Sequence, residues 1–165
     1  MTDILRLTFI FLVLIISLTA YFFVINAFFA KRIEKTQFCL SNLPGRSFGL
    51  GLVNGFFFGT IALVLLTLID ANANRVNEIV RVILLFPTIG VLAFLGILLS
   101  FGMTGMVREL GLRIAPEQEA RKQLIIGSAV LALACALPFV GWFLLLPYVA
   151  FTGIGATILG FFQKS

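Results

Sequence analysis

The stretch SFGLGLVNGFFFGTIALVLLTLI, Ser47 to Ile69, decides the fold class: 23 consecutive residues without a charge. A helix rises 1.5 Å per residue, so about 20 apolar residues cross a hydrocarbon core of about 30 Å. Inside lipid every backbone N–H and C=O must be satisfied internally, which leaves helices or closed barrels. A run of this length is a helix. It is the second span of the chain.

Working outward, the same composition recurs. Toward the N-terminus, Ile4 to Ala30 is interrupted only by Arg6 and has a helical length of about 40 Å. A secretory signal has a shorter apolar region and a basic front. Here the front is nearly neutral (Asp3, Arg6) and the basic cluster Lys31, Arg32, Lys35 follows, so the run reads as a retained anchor. Toward the C-terminus, the polar stretch Asp70–Glu78 leads to a third span at 82–107. The last apolar stretch, Leu124 to Phe162, is too long for one crossing, and Pro138-Phe139-Val140-Gly141-Trp142 divides it. Proline breaks the helical ladder, glycine permits a tight turn and Trp142 suits the interface. Two further spans follow, about 116–137 and 141–162, with Pro116 in the first helical turn. A re-entrant loop is the alternative, because about thirteen apolar residues separate Lys122 from Pro138. The expectation is an all-α, polytopic transmembrane helical bundle of about five spans, one integral-membrane domain over 1–165.

Charge supports this threading. Charged residues are 12 per cent of the chain, against about a quarter in soluble domains. With the N-terminus outside and the C-terminus cytoplasmic, the inner segments hold Lys31, Arg32, Lys35, Arg46, Arg108, Arg113, Arg121, Lys122 and Lys164. The outer ones hold Arg6, Arg75 and Arg81. Nine against three follows the positive-inside bias. The net charge of +5 thus has a topological cause, and small basic clusters against a membrane are no nucleic-acid footprint. The expected location is a bacterial inner membrane.

The same composition removes most chemistry. With no histidine, the chain lacks the commonest metal ligand and near-neutral acid–base group. Cys39, in a polar basic connection, and Cys135, in an apolar segment, do not make a thiolate metal site by themselves. The two aspartates, Asp3 and Asp70, fall at segment ends. No charged residue lies well inside an apolar run, where proton relays and ion-coupled carriers need one. The chain therefore reads as no enzyme, with no catalytic and no metal-binding residue and no required cofactor.

What remains is packing. Gly51-x-x-x-Gly55-x-x-x-Gly59 is a stripe on one helix face, and Ala156-x-x-x-Gly160 a weaker one. Small residues let helices in lipid approach closely. Asn26 and Asn54 are the polar residues deepest in spans, read as interhelical hydrogen bonds. The nineteen phenylalanines, Phe56-Phe57-Phe58 among them, face acyl chains or line a groove for a lipid, quinone or carotenoid. Pro87-x-x-Gly90 and Pro138-x-x-Gly141 stand 51 residues apart, and at the same offset Gly102 falls on Gly153 and Gly105 on Ala156. That spacing reads as a duplicated helical hairpin.

The pattern Leu137-Pro138-Phe139-Val140-Gly141-Trp142, followed by Gly153-Ile154-Gly155-Ala156, resembles the polytopic membrane domain found alongside bactofilin-type polymer-forming proteins in bacteria. In that family a Pro-x-x-Gly-Trp turn precedes a helix with a Gly-x-Gly-Ala step. This chain departs from the family where Thr67-Leu68-Ile69 runs into Asp70. The resemblance implies a helical membrane fold and a bacterial origin, and no activity.

The function expected is a non-catalytic multi-pass subunit or scaffold. Membrane lipid and other membrane proteins of a complex would be its partners, and Arg108, Arg113, Arg121 and Lys122 its cytoplasmic docking face. A small transporter or channel for a neutral or lipidic substrate is the alternative, since proline-broken helices and hairpin repeats suit that class.

Overall fold

A computed structural model of the chain describes residues 2–71, 78–137 and 139–162. Arg75, Pro138 and Lys164 lie outside the described residues, as does most of the polar stretch after Asp70. The elements are α1 (Thr2–Phe28), α2 (Ala30–Asn42), α3 (Pro44–Ala71), α4 (Glu78–Ile114), α5 (Ala120–Ala136), a π-helical segment (Val140–Leu145) and α6 (Leu146–Phe162). Among the described residues there is no strand, and the fold is an all-α helical bundle. Four helical stretches are long and apolar enough to cross a membrane: Thr8–Phe28, Pro44–Asp70, Arg81–Ile114 and Val140–Phe162.

The fourth expected span is shorter than its sequence suggests. Helix α5 begins at Ala120 rather than Pro116, and its 17 residues give about 25 Å, less than a hydrocarbon core. The reason lies in the preceding turn. The backbone N–H of Gln118 donates to the Ala115 carbonyl (3.2 Å), and the Gln123 side-chain amide donates to the carbonyls of Ala115 (3.1 Å) and Pro116 (3.3 Å). These bonds hold residues 115–119 as a turn, with Glu119 in extended backbone as the residue before the helix.

The basic connection after α1 is itself a helix. Only Phe29 departs from helical geometry between α1 and α2, and only Leu43 between α2 and α3. Leu43 precedes Pro44, whose ring disfavours the α region for its neighbour, while Pro44 fits the first turn of the next helix. Helix α2 buries Ile33, Thr36, Cys39 and Leu40 against α4 and α6. Its other face is polar.

Pro87 does not interrupt α4. Its missing N–H loosens one turn, and beside it the Thr88 hydroxyl donates to the Leu84 carbonyl at 2.7 Å, the kind of compensation that keeps prolines tolerable in membrane helices. The connection after α5 behaves differently. Phe139 has φ 68° and ψ −65°, the strained γ-turn region for a residue with a side chain. Two residues on, a Cβ at Gly141 would stand 2.6 Å from the carbonyl oxygens of Ala134 and Cys135, so only glycine fits there. Pro87 and Gly90 thus stand inside a continuous helix, whereas Phe139 stands at a sharp turn with Gly141 just beyond it. Of the other two offset pairs, one is in direct contact and the other shares a neighbour. Gly102 lies backbone to backbone against Gly153, and Gly105 and Ala156 both pack against α2 through Leu40.

Candidate helix-packing and docking site

Helix α6 is the hub of the molecule. It touches α2, α3 and α4, and its residues Thr152 to Thr157 and Gly160 are buried. Small residues make this approach possible. A Cβ at Gly155 would fall well inside contact with the Ser47 carbonyl oxygen, and one at Gly51 would do so with the Phe151 carbonyl oxygen. The backbones of α3 and α6 therefore touch along Ser47, Gly51, Phe151 and Gly155. The α4–α5 pair repeats the device, with Gly111 against the Gln123 backbone and Gly127 against the Val107 carbonyl. At such separations dispersion and Cα–H···O contacts hold helices without a hydrophobic drive between them.

The residues singled out from the sequence fall at different distances from this hub. Gly51 is in backbone contact with α6. A Cβ at Gly55 would stand 2.9 Å from the edge of the Phe151 ring, and one at Gly59 would meet no neighbour within 4 Å. Ala156 is fully buried with Cys39 and Leu40, and Gly160 lies against Lys35 and Thr36 of α2. Of the residues expected at the hairpin turn, Gly141 and Trp142 lie in the π-helical segment, Gly141 buried and Trp142 68 per cent exposed.

The asparagines do not bridge helices. Asn54 is half-buried, and its Nδ2 donates to the Leu50 carbonyl of its own helix at 2.9 Å. The buried Asn26 Oδ1 has no hydrogen-bond partner among the described residues. Hydroxyls take that role instead. Thr19 of α1 and Ser128 of α5 bond at 2.7 Å, Tyr21 of α1 and Ser100 of α4 at 2.6 Å, and the Thr157 hydroxyl donates to the Leu98 carbonyl at 3.3 Å. Each hydroxyl has one proton to give: Ser100 gives its own to the Gly96 carbonyl and accepts from Tyr21, whereas Thr157 gives its own across to Leu98 and one of Thr19 and Ser128 gives its own to the other.

One charged group escaped the sequence reading. Glu109 is only 7 per cent exposed; Arg113 Nε donates to one carboxylate oxygen (2.8 Å) and Gln37 Nε2 to the other (3.3 Å). The i,i+4 spacing to Arg113 was visible in the sequence, whereas Gln37 was hidden because α2 read as a loop. The trio ties α2 to the end of α4, beside a cavity of about 300 Å³ lined by Leu40, Met106, Tyr148 and Thr152. Close by, Cys39 is buried, and that burial raises its thiol pKa above the ordinary value.

The expected docking cations cluster around the α4–α5 turn. Arg108 is half-buried, Arg113 is 62 per cent exposed and bound to Glu109, and Arg121 and Lys122 are exposed. The last two occupy the first turn of α5, where the helix dipole opposes positive charge. Among the described residues no carboxylate lies within ion-pair distance of either. Aromatic rings on the lipid-facing side pair with one another, Phe56 on Phe151 and Phe58 against Phe94.

No family model matches the chain, and neither a curated protein nor a solved structure does.

Proposed function

We propose that the chain is a non-catalytic multi-pass subunit that packs within a larger membrane assembly and docks a partner on the cations of the α4–α5 turn. The observation that carries this reading is the placement of Arg121 and Lys122. Positive charge in a first helical turn costs about 0.3–1 kcal/mol, and among the described residues neither cation forms an ion pair, although Glu117 and Glu119 precede them at the same helix end. An anionic surface on a neighbour would pair with them.

The glycine-close core supports the same reading. Helices whose backbones touch have little room to slide, which suits a fixed platform better than a moving gate. The resemblance to domains that accompany bactofilin-type polymers makes a polymer-forming protein at the inner bacterial membrane the first partner to look for. The test is purification in mild detergent from native membranes, with wild type beside Arg121→Glu/Lys122→Glu. A stoichiometric partner retained by wild type and lost from the variant is expected. Recovery of wild type as a lone, monodisperse species overturns the proposal.

A further inference from the structure

Between α1, α4 and α6 lies an apolar crevice of about 490 Å³, within the size range of small-ligand sites. Its walls are Ile25 of α1, Phe29 just beyond that helix, and Ile97 and Phe101 of α4, with the Phe29 and Phe101 rings packed edge to face at 5.0 Å. At one side stands Arg32 of α2, its guanidinium carbon 4.4 Å from the centre of the Phe161 ring.

The polar groups of this crevice are unequally engaged. Ser100 donates to the Gly96 carbonyl (2.7 Å) and accepts from the Tyr21 hydroxyl (2.6 Å), so its hydroxyl is satisfied within the bundle. Arg32 is different. Its guanidinium carbon lies over the Phe161 ring, and no carboxylate stands within ion-pair distance of it among the described residues. A planar fork of donors on an aromatic platform matches the geometry of a phosphate. Lys31, exposed beside it, adds a second positive charge, while Glu34 is also exposed but forms no ion pair with Arg32.

The geometry points to a binding site for one anionic phospholipid, its acyl chain against Phe29 and Phe101 and its phosphate on Arg32. The crevice belongs to a surface that meets acyl chains, so an apolar occupant is present by default. A quinone or carotenoid brings no anion to the guanidinium. A phosphate-headed lipid satisfies both halves of the site.

The experiment measures binding to purified protein in nonionic detergent by native mass spectrometry and thermal shift. The probes are phosphatidylglycerol, phosphatidylcholine and inorganic phosphate. Phosphatidylglycerol binds and raises the melting temperature more than phosphatidylcholine does. Arg32→Gln weakens it about tenfold or more, the usual worth of charge-assisted hydrogen bonds, whereas Lys31→Gln, at a residue that does not line the crevice, changes it about twofold or less. Equal losses in the two variants reveal a diffuse basic surface and overturn the site, as does equal stabilisation by inorganic phosphate. Should Arg32→Gln fail to fold, Ile97→Trp fills the crevice with every charge intact. Lipid binding unchanged in that variant also overturns the proposal.

Discussion

Helices α1 and α6 are both strongly apolar, yet they live differently. In the most apolar part of each span, 39 per cent is buried inside the bundle for the one that contains α6 and 6 per cent for α1. Apolarity does not decide this, because lipid is as apolar as leucine. Side-chain size does. Helix α6 carries Thr152, Gly153, Gly155, Ala156 and Thr157 in close succession, all buried, while α1 presents Phe9, Ile10, Val13 and Ile16 outward. In water large apolar residues mark the core; in this chain many of them face outward, though Phe22, Ile33, Leu98 and Leu124 are buried, and small residues mark the joints of α6.

The sharpest way to break that contrast is Gly155→Val. Its side chain has nowhere to go between Ser47 and Gly51, so a cost of about 3 kcal/mol or more is expected, at the upper end of overpacking effects. Size-exclusion in detergent should show loss of the monodisperse peak, and an unchanged melting temperature would remove α6 from the centre of the account. Next comes Glu109→Ala, which leaves Gln37 and Arg113 without their acceptor. Hydrogen bonds to charged groups are worth about 1.5–3 kcal/mol. Arg113→Ala should cost about 1 kcal/mol or less, because that partner is largely exposed. Equal effects of the two, read from thermal unfolding, would mean that the Gln37 contact contributes nothing.

Smaller still is Ser128→Ala, which deletes the α1–α5 bridge to Thr19. Interhelical hydrogen bonds in membranes average about 0.6 kcal/mol, and α1, with so little burial, depends on few others. Limited proteolysis should report a looser α1 before global stability falls. At the bottom of the scale, Gly59→Ala should be neutral or stabilising by about 0.5 kcal/mol, since open space surrounds the position and alanine is the better helix former. A clear destabilisation would reveal a partner on that face.

The membrane helices were legible because length and charge exclusion are one-dimensional properties. The second span shows this: a charge-free Ser47–Ile69 admits no other reading, and α3 covers it whole. Glycine spacing was legible only in part. Gly51, Gly55 and Gly59 look identical in sequence, and the crossing with α6 passes Gly51 and Gly55 and leaves Gly59 bare. A stripe names a face; the crossing angle chooses the contact. The partner on α6, Gly155, reads in sequence only as part of a family step, not as the other half of the joint.

Helix α2 was hidden for a different reason. Lys31, Arg32, Glu34 and Lys35 in a short stretch read as a solvated connection, although Ile33, Thr36, Cys39 and Leu40 recur at helical spacing beneath them. The start of α5 was misplaced because Pro116 suits a first turn anywhere, and only the distant Gln123 amide shows that residues 115–119 are held as a turn. Asn54 spends its donor on its own helix, and no one-dimensional signal separates that from a bridge.

The contact between α3 and α6 carries the whole account, and cysteine cross-linking reads it directly. Phe48 and Tyr148 stack with ring centres 5.6 Å apart across that joint. In a Cys39→Ala/Cys135→Ala background, Phe48→Cys with Tyr148→Cys should be joined within one chain by a short bifunctional maleimide in the native membrane, seen as a shift in mobility. Absence of that cross-link, or its appearance only between two copies of the chain, would contradict a bundle built around α6.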